Sequence, residues 1–248
     1  MKRAYTIEYG CGCTIGKIRK NNEDNYYCCG QFRLNPDSVE DEFLSGKVKS
    51  TDNELFAVFD GMGGEACGEV ASFIAALNSS VFCENKAEYE EYLYELGDLI
   101  NERIKEETQA RCLVLMGTTG AMIQFYKDEI YILNVGDSRI YKFAKGELNQ
   151  ISLDHVAAGY SGKAPLTKFL GMPEGAKYSP YIARGAYKTG DLFILCTDGV
   201  YDMVKDEGLK NLVNVKKPLD LIAKDIIEKA KECGGVDNAT VILCKISR

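Results

Sequence analysis

Residues 55–64 read LFAVFDGMGG. Its first five residues form a short apolar run that is typical of a buried strand. The run stops abruptly at Asp60, and the glycines that follow indicate a flexible turn. We therefore predict a buried strand that ends at Asp60, with a carboxylate at the strand end.

Two further apolar runs have an Asp at one end. Residues 192–199 read LFILCTDG, and residues 237–246 read DNATVILCKI. An isolated buried carboxylate is costly, so each Asp needs a hydrogen-bonding partner or a cation. Because Asp-Gly pairs also cap turns, a turn-capping and a metal-binding interpretation both stay open for Asp60, Asp198 and Asp237.

Helices are predicted in pairs around a set of short strands. Apolar residues at helical spacing indicate helices at residues 65–82, 89–104, 206–213 and 218–231. The apolar stripe of the first helix is expected to face the core and consists of Val70, Phe73, Ile74, Leu77 and Val81. Pro218 is expected in the first turn of the last helix.

The strands between the helix pairs are predicted to form meanders. Residues 118–151 contain three or four short strands separated by turn signals, and connections that short join only antiparallel neighbours. The polar stretch 35–53 is expected to be a surface loop or hairpin. These patterns favour an α+β layered fold over a doubly wound parallel sheet, with residues 1–248 as a single domain.

Composition limits the possible functions. The net charge is -7 with dispersed Lys and Arg, which argues against a nucleic-acid partner. No apolar run approaches the ~20 residues that span a bilayer, and residues 1–8 lack a signal-peptide core, so a cytoplasmic protein without membrane contact is expected. The ten cysteines are expected to be reduced, and their spacing does not favour zinc.

The motifs of this chain, in their order, resemble those of the protein phosphatase 2C family, the metal-dependent serine/threonine phosphatases, and in particular its bacterial members. They are GKIRKNNEDN (16–25), VFDGMGG (58–64), GTT (117–119), VGDSR (135–139), LDH (153–155), LCTDGV (195–200) and DNAT (237–240). The resemblance implies a four-layer α-β-β-α sandwich of two antiparallel sheets flanked by helix pairs. It also implies hydrolysis of phosphoserine and phosphothreonine in proteins by a metal-activated water.

The resemblance implies two tightly bound Mn²⁺ or Mg²⁺ ions, which prefer oxygen ligands. Carried over by position, Asp60 would bridge the two ions. The Gly61 carbonyl, Asp198 and Asp237 would complete the ligand set.

Four further residues match family positions. Glu23 or Asp24 would hold metal-bound water, and Asp137 would be an outer ligand of a third, weaker metal. Arg19 would bind the substrate phosphate, because a planar guanidinium can pair with two phosphate oxygens. Without the surrounding motif, a surface salt bridge is the simpler reading of Arg19, and turn capping is the alternative for Asp137.

Two departures from the family pattern concern chemistry. Met62 stands where many members have a His that is a candidate acid for the leaving group, whereas bacterial members commonly have Met. His155 is expected to make a structural hydrogen bond instead of replacing that acid. The segment 155–171 is shorter than the usual flap of the family, so flap contacts with substrate are not carried over.

Two other functions are compatible with these motifs. A catalytically silent member would bind phosphoproteins or a regulatory partner, but its usual signature, a lost metal ligand, is absent here. A hydrolase of small phosphate esters would share the metal chemistry without a docking surface for proteins. The protein is expected to act as a monomer.

Overall fold

Both faces of the predicted strand at 55–59 are covered, which explains its unbroken apolar run. Phe56 and Val58 belong to one cluster of buried side chains. Leu55 and Phe59 belong to another. Because successive side chains of a strand point to opposite faces, this strand lies between two apolar layers.

The computed structural model describes residues 5–50, 54–62, 67–84, 91–160, 162–173, 175–176 and 178–248. The strands are β1 (Thr6–Thr14), β2 (Asp24–Cys28), β3 (Glu42–Lys49), β4 (Glu54–Met62), β5 (Gly117–Thr118), β6 (Gly120–Tyr126), β7 (Glu129–Val135), β8 (Arg139–Ala144), β9 (Glu147–Gln150), β10 (Tyr181–Ala186), β11 (Leu192–Cys196) and β12 (Ala239–Ser247). The helices are α1 (Gly68–Glu84), α2 (Tyr92–Ala110), α3 (Asp198–Tyr201), α4 (Asp206–Val213) and α5 (Leu219–Glu232).

The strands form two antiparallel sheets. One has the order β3-β1-β12-β11-β8-β9, and the other has the order β10-β7-β6-β4-β2, with β5 paired to β4. Helices α1 and α2 pack on the second sheet, and α3, α4 and α5 pack on the first. The α+β four-layer sandwich is therefore confirmed. Within the described ranges no helix is long and apolar enough to cross a membrane.

Strand β4 does not stop at Asp60, so the prediction of a turn there was wrong. Asp60 pairs with Asp24 of β2, and Gly61 pairs with Thr118 of β5. Strand partners on both sides keep the backbone extended through Met62 despite the glycine. The two glycines after Met62 lie outside the described residues.

The connection between β7 and β8 does not join neighbours, contrary to the prediction for short connections. Strand β7 pairs with β6 and β10, whereas β8 pairs with β9 and β11 in the other sheet. Gly136 has a φ of +97°, which a residue with a side chain rarely adopts. The chain thus passes from one sheet to the other at the end of the sandwich, and Asp137 lies at this crossing.

The buried face of α1 differs from the predicted stripe. Leu77 and Val81 are exposed, and the fully buried positions include Ala71, Ala75 and Ser79. Small side chains allow the helix backbone to approach β2 and β4 closely. In α2 the apolar residues Tyr92, Leu93, Leu96, Ile100 and Ile104 are buried, in agreement with the helical spacing that predicted this helix. Residues 85–90, which include the predicted start of the helix, lie outside the described residues.

Within the polar stretch 35–53 the structure places the edge strand β3, which pairs with β1. Its side chains alternate between partly buried and exposed, so it carries little apolar signal. Pro218 is the residue before the first turn of α5, one position earlier than predicted.

Candidate active site

A cleft of about 660 Å³ opens at one end of the sandwich, next to Asp198 at the end of β11 and to the last residues of β4. It is lined by Arg19, Glu23, Asp60, Gly61, Met62, Leu115, Thr119, Asp137, Lys163, Ala164, Pro165, Leu166, Phe169, Asp198 and Asp237. All of the predicted site residues line this cleft except Asp24.

The backbone of Asp60 is held by two threonines. Its amide donates to Thr119 Oγ1 at 3.0 Å, and its carbonyl accepts from Thr119 N at 2.8 Å and Thr118 Oγ1 at 2.9 Å. Burial raises the pKa of the Asp60 carboxyl well above its ordinary value, and the charge of Asp198 raises it further. The backbone of Asp60 is thus fixed, and its carboxylate lies close enough to Asp198 to be affected by that charge.

The glycines that follow Asp60 and Asp198 allow close packing. A Cβ atom on Gly61 would lie 2.1 Å from the Gly68 carbonyl oxygen, and one on Gly199 would lie 1.9 Å from the Asn238 carbonyl oxygen. Turn formation, the alternative interpretation of both Asp-Gly pairs, is therefore not the reason for these glycines. Because these two positions have no side chain, the backbone of Gly68 can pack against Gly61 and the backbone of Asn238 against Gly199.

Asp198 is the first residue of α3 and is 3% exposed. Its Oδ2 accepts a short ion-pair contact from the Lys163 ammonium. Burial raises the pKa of the Asp198 carboxyl above its ordinary value, although the charge of Lys163 opposes this effect.

The loop before β12 is tied to the loop before β2. Asn238 Oδ1 accepts from Glu23 N at 2.8 Å, and Asn238 Nδ2 donates to the carbonyls of Ile15 and Asn21 at 3.0 Å each. This cross-link brings Asp237, the residue before Asn238, alongside Glu23.

Arg19 bridges these two loops on the exposed side of the cleft. Its Nη2 donates to Asp237 Oδ2 at 2.8 Å, and its Nη1 lies 3.8 Å from Glu23 Oε2. The salt bridge that is the simpler interpretation of Arg19 is therefore present, but its partners Glu23 and Asp237 both line the predicted site. The side chain is 43% exposed, so the guanidinium is accessible from solvent.

Asp24 lies behind the cleft and is 1% exposed. Its Oδ2 accepts from Thr197 Oγ1 at 2.8 Å and Thr240 Oγ1 at 2.7 Å. Its Oδ1 is buried and has no hydrogen-bond partner among the described residues. Burial raises the pKa of the Asp24 carboxyl from 3.8 to about 7. Of the two candidates for holding metal-bound water, only Glu23 faces the cleft.

The Gly136-Asp137 crossing is held by neighbours on both sides. Ser138 Oγ lies 2.6 Å from Thr119 Oγ1, the hydroxyl that also accepts from Asp60 N. His155 Nδ1 accepts from Gly136 N at 3.3 Å, which is the kind of structural hydrogen bond predicted for this histidine. Burial and the charge of Asp198 raise the pKa of the Asp137 carboxyl to about 6.

A match to a family profile over most of the chain shows to which family it belongs. The profile of the family described as Protein phosphatase 2C matches residues 31–224. The chain belongs to the protein phosphatase 2C family. The serine/threonine phosphatase stp of Listeria welshimeri is 30% identical over 92% of this chain and 91% of that protein. The serine/threonine protein phosphatase PstP of Mycobacterium tuberculosis is 28% identical over 97% of this chain and 45% of that longer protein.

The fold of this protein phosphatase 2C chain agrees with solved structures. The crystal structure of the PstP catalytic domain in complex with two manganese ions superposes with a TM-score of 0.79 and 25% sequence identity. The match covers 99% of this chain and 100% of that domain. The agreement in fold therefore extends over both sheets.

Lys163 is a cleft residue that the sequence reasoning missed. Besides its contact with Asp198, its Nζ lies 3.6 Å from Asp237 Oδ2. Partial burial alone would lower the pKa of the ammonium, but the charge of Asp198 raises it above its ordinary value. The lysine stands in a polar stretch without periodic signal, so only the three-dimensional structure shows its position.

The donor set of this protein phosphatase 2C cleft fits hard divalent cations. The donors are carboxylate and carbonyl oxygens, which Mg²⁺ and Mn²⁺ prefer. Burial, and for Asp60 the charge of Asp198, raise the pKa of the Asp60 and Asp198 carboxyls, and the positive charge of Lys163 opposes this effect at both. Arg19 pairs with Asp237. In the described part of the chain no three His, Cys, Asp or Glu side chains converge on one metal-binding point. Lys163 instead lies between Asp198 and Asp237.

Proposed function

We propose that this chain hydrolyses phosphoserine and phosphothreonine in proteins, with two Mn²⁺ or Mg²⁺ ions in the cleft. One observation carries the proposal: Asp60, Asp137, Asp198 and Asp237, from distant parts of the sequence, line one cleft together with Arg19. Repulsion among these carboxylates is relieved by cations. The relatives named serine/threonine phosphatases and the manganese complex of PstP support this assignment.

Asp60, the Gly61 carbonyl, Asp198 and Asp237 would hold the two ions. When bound, the ions supply Lewis acidity, which lowers the pKa of water and neutralises phosphoryl oxygens. The protein contributes fixed positions: two threonines hold the backbone of Asp60, and the first turn of α3 presents Asp198. Glu23, which faces the cleft, would orient water, with Asp24 behind it.

Arg19 would bind the phosphate group of the substrate. Its planar guanidinium can donate two parallel hydrogen bonds to phosphate oxygens. The present partner, Asp237, is one of the proposed metal ligands, so Arg19 can exchange this carboxylate for the substrate phosphate. Met62 lines the cleft with a thioether and has no proton to give to the leaving group.

Asp137 would be an outer ligand of a third, weaker cation. Its carboxyl is 7% exposed and lines the same cleft. If Asp137 has this role, Asp137→Ala should lower kcat while melting temperature and the two tight sites are retained. If it only caps the crossing, stability should fall by about 1 kcal/mol with unchanged turnover per folded molecule.

The proposal is tested by phosphate release from a phosphothreonine peptide with Mn²⁺, with and without a chelator. We expect turnover only with metal, and a higher kcat/KM for the peptide than for p-nitrophenyl phosphate. Peptide binding without turnover at saturating Mn²⁺ would indicate the catalytically silent alternative. A preference for the aryl phosphate would indicate a hydrolase of small esters.

We also propose a single catalytic domain over residues 1–248 that acts as a monomer in the cytoplasm, without nucleic-acid or membrane partners. The pairing of β1 with β12 joins the two ends of the described chain, and both ends contribute to the cleft. The net charge of -7 disfavours nucleic acid. Gel filtration with light scattering would test the monomer.

A further inference from the structure

Arg33 is a buried cation outside the cleft. It lies in the connection between β2 and β3 and is 1% exposed. A buried charge is tolerated only when it is paired and hydrogen-bonded. The partners of Arg33 therefore show what this residue does.

Among the residues that the structure describes, the guanidinium makes four hydrogen bonds, one of them to a carboxylate. Nε donates to Glu42 Oε1 at 3.1 Å, and Nη2 donates to the Ser38 carbonyl at 2.6 Å. Nη1 donates to the carbonyls of Asn22 at 3.2 Å and Asp24 at 2.5 Å. Glu42 neutralises the charge. The two bonds from Nη1 satisfy buried donors and at the same time hold the two carbonyls in place.

The two carbonyls bound by Nη1 belong to the residues on either side of Glu23. Glu23 itself is held from the opposite direction, because its amide donates to Asn238 Oδ1 and its carbonyl accepts from Gly61 N at 3.0 Å. The backbone of Glu23 is thus fixed between Arg33 on one side and, on the other, Gly61, itself a proposed metal ligand, and Asn238, the neighbour of the proposed ligand Asp237.

We infer that Arg33 is a positioning residue: it fixes the backbone on both sides of Glu23 so that this carboxylate faces the cleft. Arg33 does not line the cleft and contacts neither substrate nor cation. The inference rests on the proposed role of Glu23 in orienting water at the cations. Glu42 holds the guanidinium in place, and its second oxygen accepts from Tyr26 Oη at 2.8 Å.

A lysine could replace the charge of Arg33 but not this geometry. The guanidinium presents its donors in a rigid planar fork, whereas an ammonium is a compact charge on a flexible chain. Arg33→Lys should therefore keep the ion pair with Glu42 and lose the paired contacts to the Asn22 and Asp24 carbonyls.

The test compares Arg33→Lys with a control, Ile7→Ala, a buried residue of the core between the sheets. Melting temperature, Mn²⁺ affinity by calorimetry, kcat and KM are measured for both. Loss of a group that orients metal ligands typically weakens metal binding about 10- to 100-fold. For Arg33→Lys we expect Mn²⁺ binding weaker by about tenfold or more. We also expect a lower kcat that high Mn²⁺ restores and a nearly unchanged KM.

The control should lower the melting temperature without changing Mn²⁺ affinity. If Arg33→Lys behaves like the control, Arg33 is only a structural residue and the inference is wrong. If Arg33→Lys does not fold, Glu42→Gln is read in the same way, because it removes the charge that holds the guanidinium while keeping the length of the side chain.

Glu23→Gln separates this inference from the proposed function. If Glu23→Gln leaves Mn²⁺ affinity and kcat unchanged, the role of Glu23 is wrong and the inference for Arg33 falls with it. If Glu23→Gln weakens Mn²⁺ binding and Arg33→Lys does not, only the inference for Arg33 is overturned.

Discussion

The floor and the rim of the cleft differ in how their charges are held. On the floor, Asp198 is 3% exposed and is placed by the first turn of a helix. On the rim, the side chains of Arg19 and Lys163 are 43% and 61% exposed and come from loops. Floor charges are fixed in position and poorly solvated, whereas rim charges are screened by water and can change partners. We therefore expect floor substitutions to have larger effects than rim substitutions.

The largest expected effect is the loss of activity when a proposed metal ligand loses its charge. Asp60→Asn, Asp198→Asn and Asp237→Asn should each lower kcat/KM by at least about 10³-fold, because the cations depend on these charges. Phosphopeptide turnover and Mn²⁺ stoichiometry measure this. Asp202→Asn, the same change at an exposed residue just after α3, is the matched control. Full activity in a folded Asp198→Asn protein would contradict the site.

The second effect is a dependence of stability on pH in the metal-free protein. The pKa is raised from 3.8 to about 6 for Asp137 and to about 7 for Asp24, in both cases mainly by burial. A carboxyl with a higher pKa in the folded state stabilises the protein fully below the unfolded pKa, and this contribution is lost as pH rises through the folded pKa. Metal-free protein should therefore lose stability between about pH 4 and pH 7.

For Asp137 the difference between 3.8 and about 6 corresponds to roughly 3 kcal/mol. Melting temperatures across this range, in chelator and in saturating Mn²⁺, should show a stabilisation by metal that grows with pH. Asp137→Asn removes one titrating group and should flatten the curve in chelator. Identical slopes for wild type and Asp137→Asn would show that this carboxyl does not contribute.

Arg19 tests the rim through substrate binding. Arg19→Ala should raise KM about tenfold with little change in kcat, since one charge-assisted contact to phosphate contributes about 1.5–3 kcal/mol. Lys20→Ala, at an exposed residue of the same loop, is the control. An unchanged KM would leave Arg19 as a salt-bridge partner of Asp237 only.

Lys163 should give the smallest effect. Its ammonium occupies carboxylates that the cations need, so Lys163→Met should strengthen Mn²⁺ binding. Asp198 is buried, but the side chain of Lys163 is 61% exposed, so water screens the pair. An ion pair screened in this way contributes about 0.2–1 kcal/mol, so the gain should be at most about fivefold. Calorimetric titration measures it, with Lys224→Met on the exposed face of α5 as control. Equal or weaker Mn²⁺ binding would show that the lysine does not compete.

The floor of the cleft was more predictable from sequence than the rim. Asp60 and Asp198 each follow a run of five buried apolar residues. Such a run can be recognised from the sequence alone as a strand that is covered on both faces. Lys163 contacts Asp198 and Asp237, which are distant in sequence. Arg33 contacts nearer residues, all between Asn22 and Glu42, but mainly through backbone carbonyls, which no sequence pattern marks. The order of the motifs predicted that Glu23 and Asp237 belong to the same site. The hydrogen bond from Glu23 N to Asn238 Oδ1 is the physical reason why they lie close together.

The errors in the fold have local physical causes. Strand β4 continues past Asp60 because strand partners outweigh the turn preference of glycine. Leu77 and Val81 face outward because α1 packs on the sheet through smaller residues. The crossing after β7 was not predicted because the length of a connection does not show whether it joins two strands of one sheet or passes from one sheet to the other.

The position of β12 has a consequence for synthesis of the chain. This strand lies between β1 and β11, so the first sheet has a gap at its centre until residues 239–247 have left the ribosome. Until then β1 has only β3 as a neighbour, and contacts of such long sequence separation form slowly. Asp237 and Asn238 immediately precede β12, and the cleft is incomplete without them. We therefore expect a nascent chain to acquire its phosphatase centre only after residues 237–247 have left the ribosome.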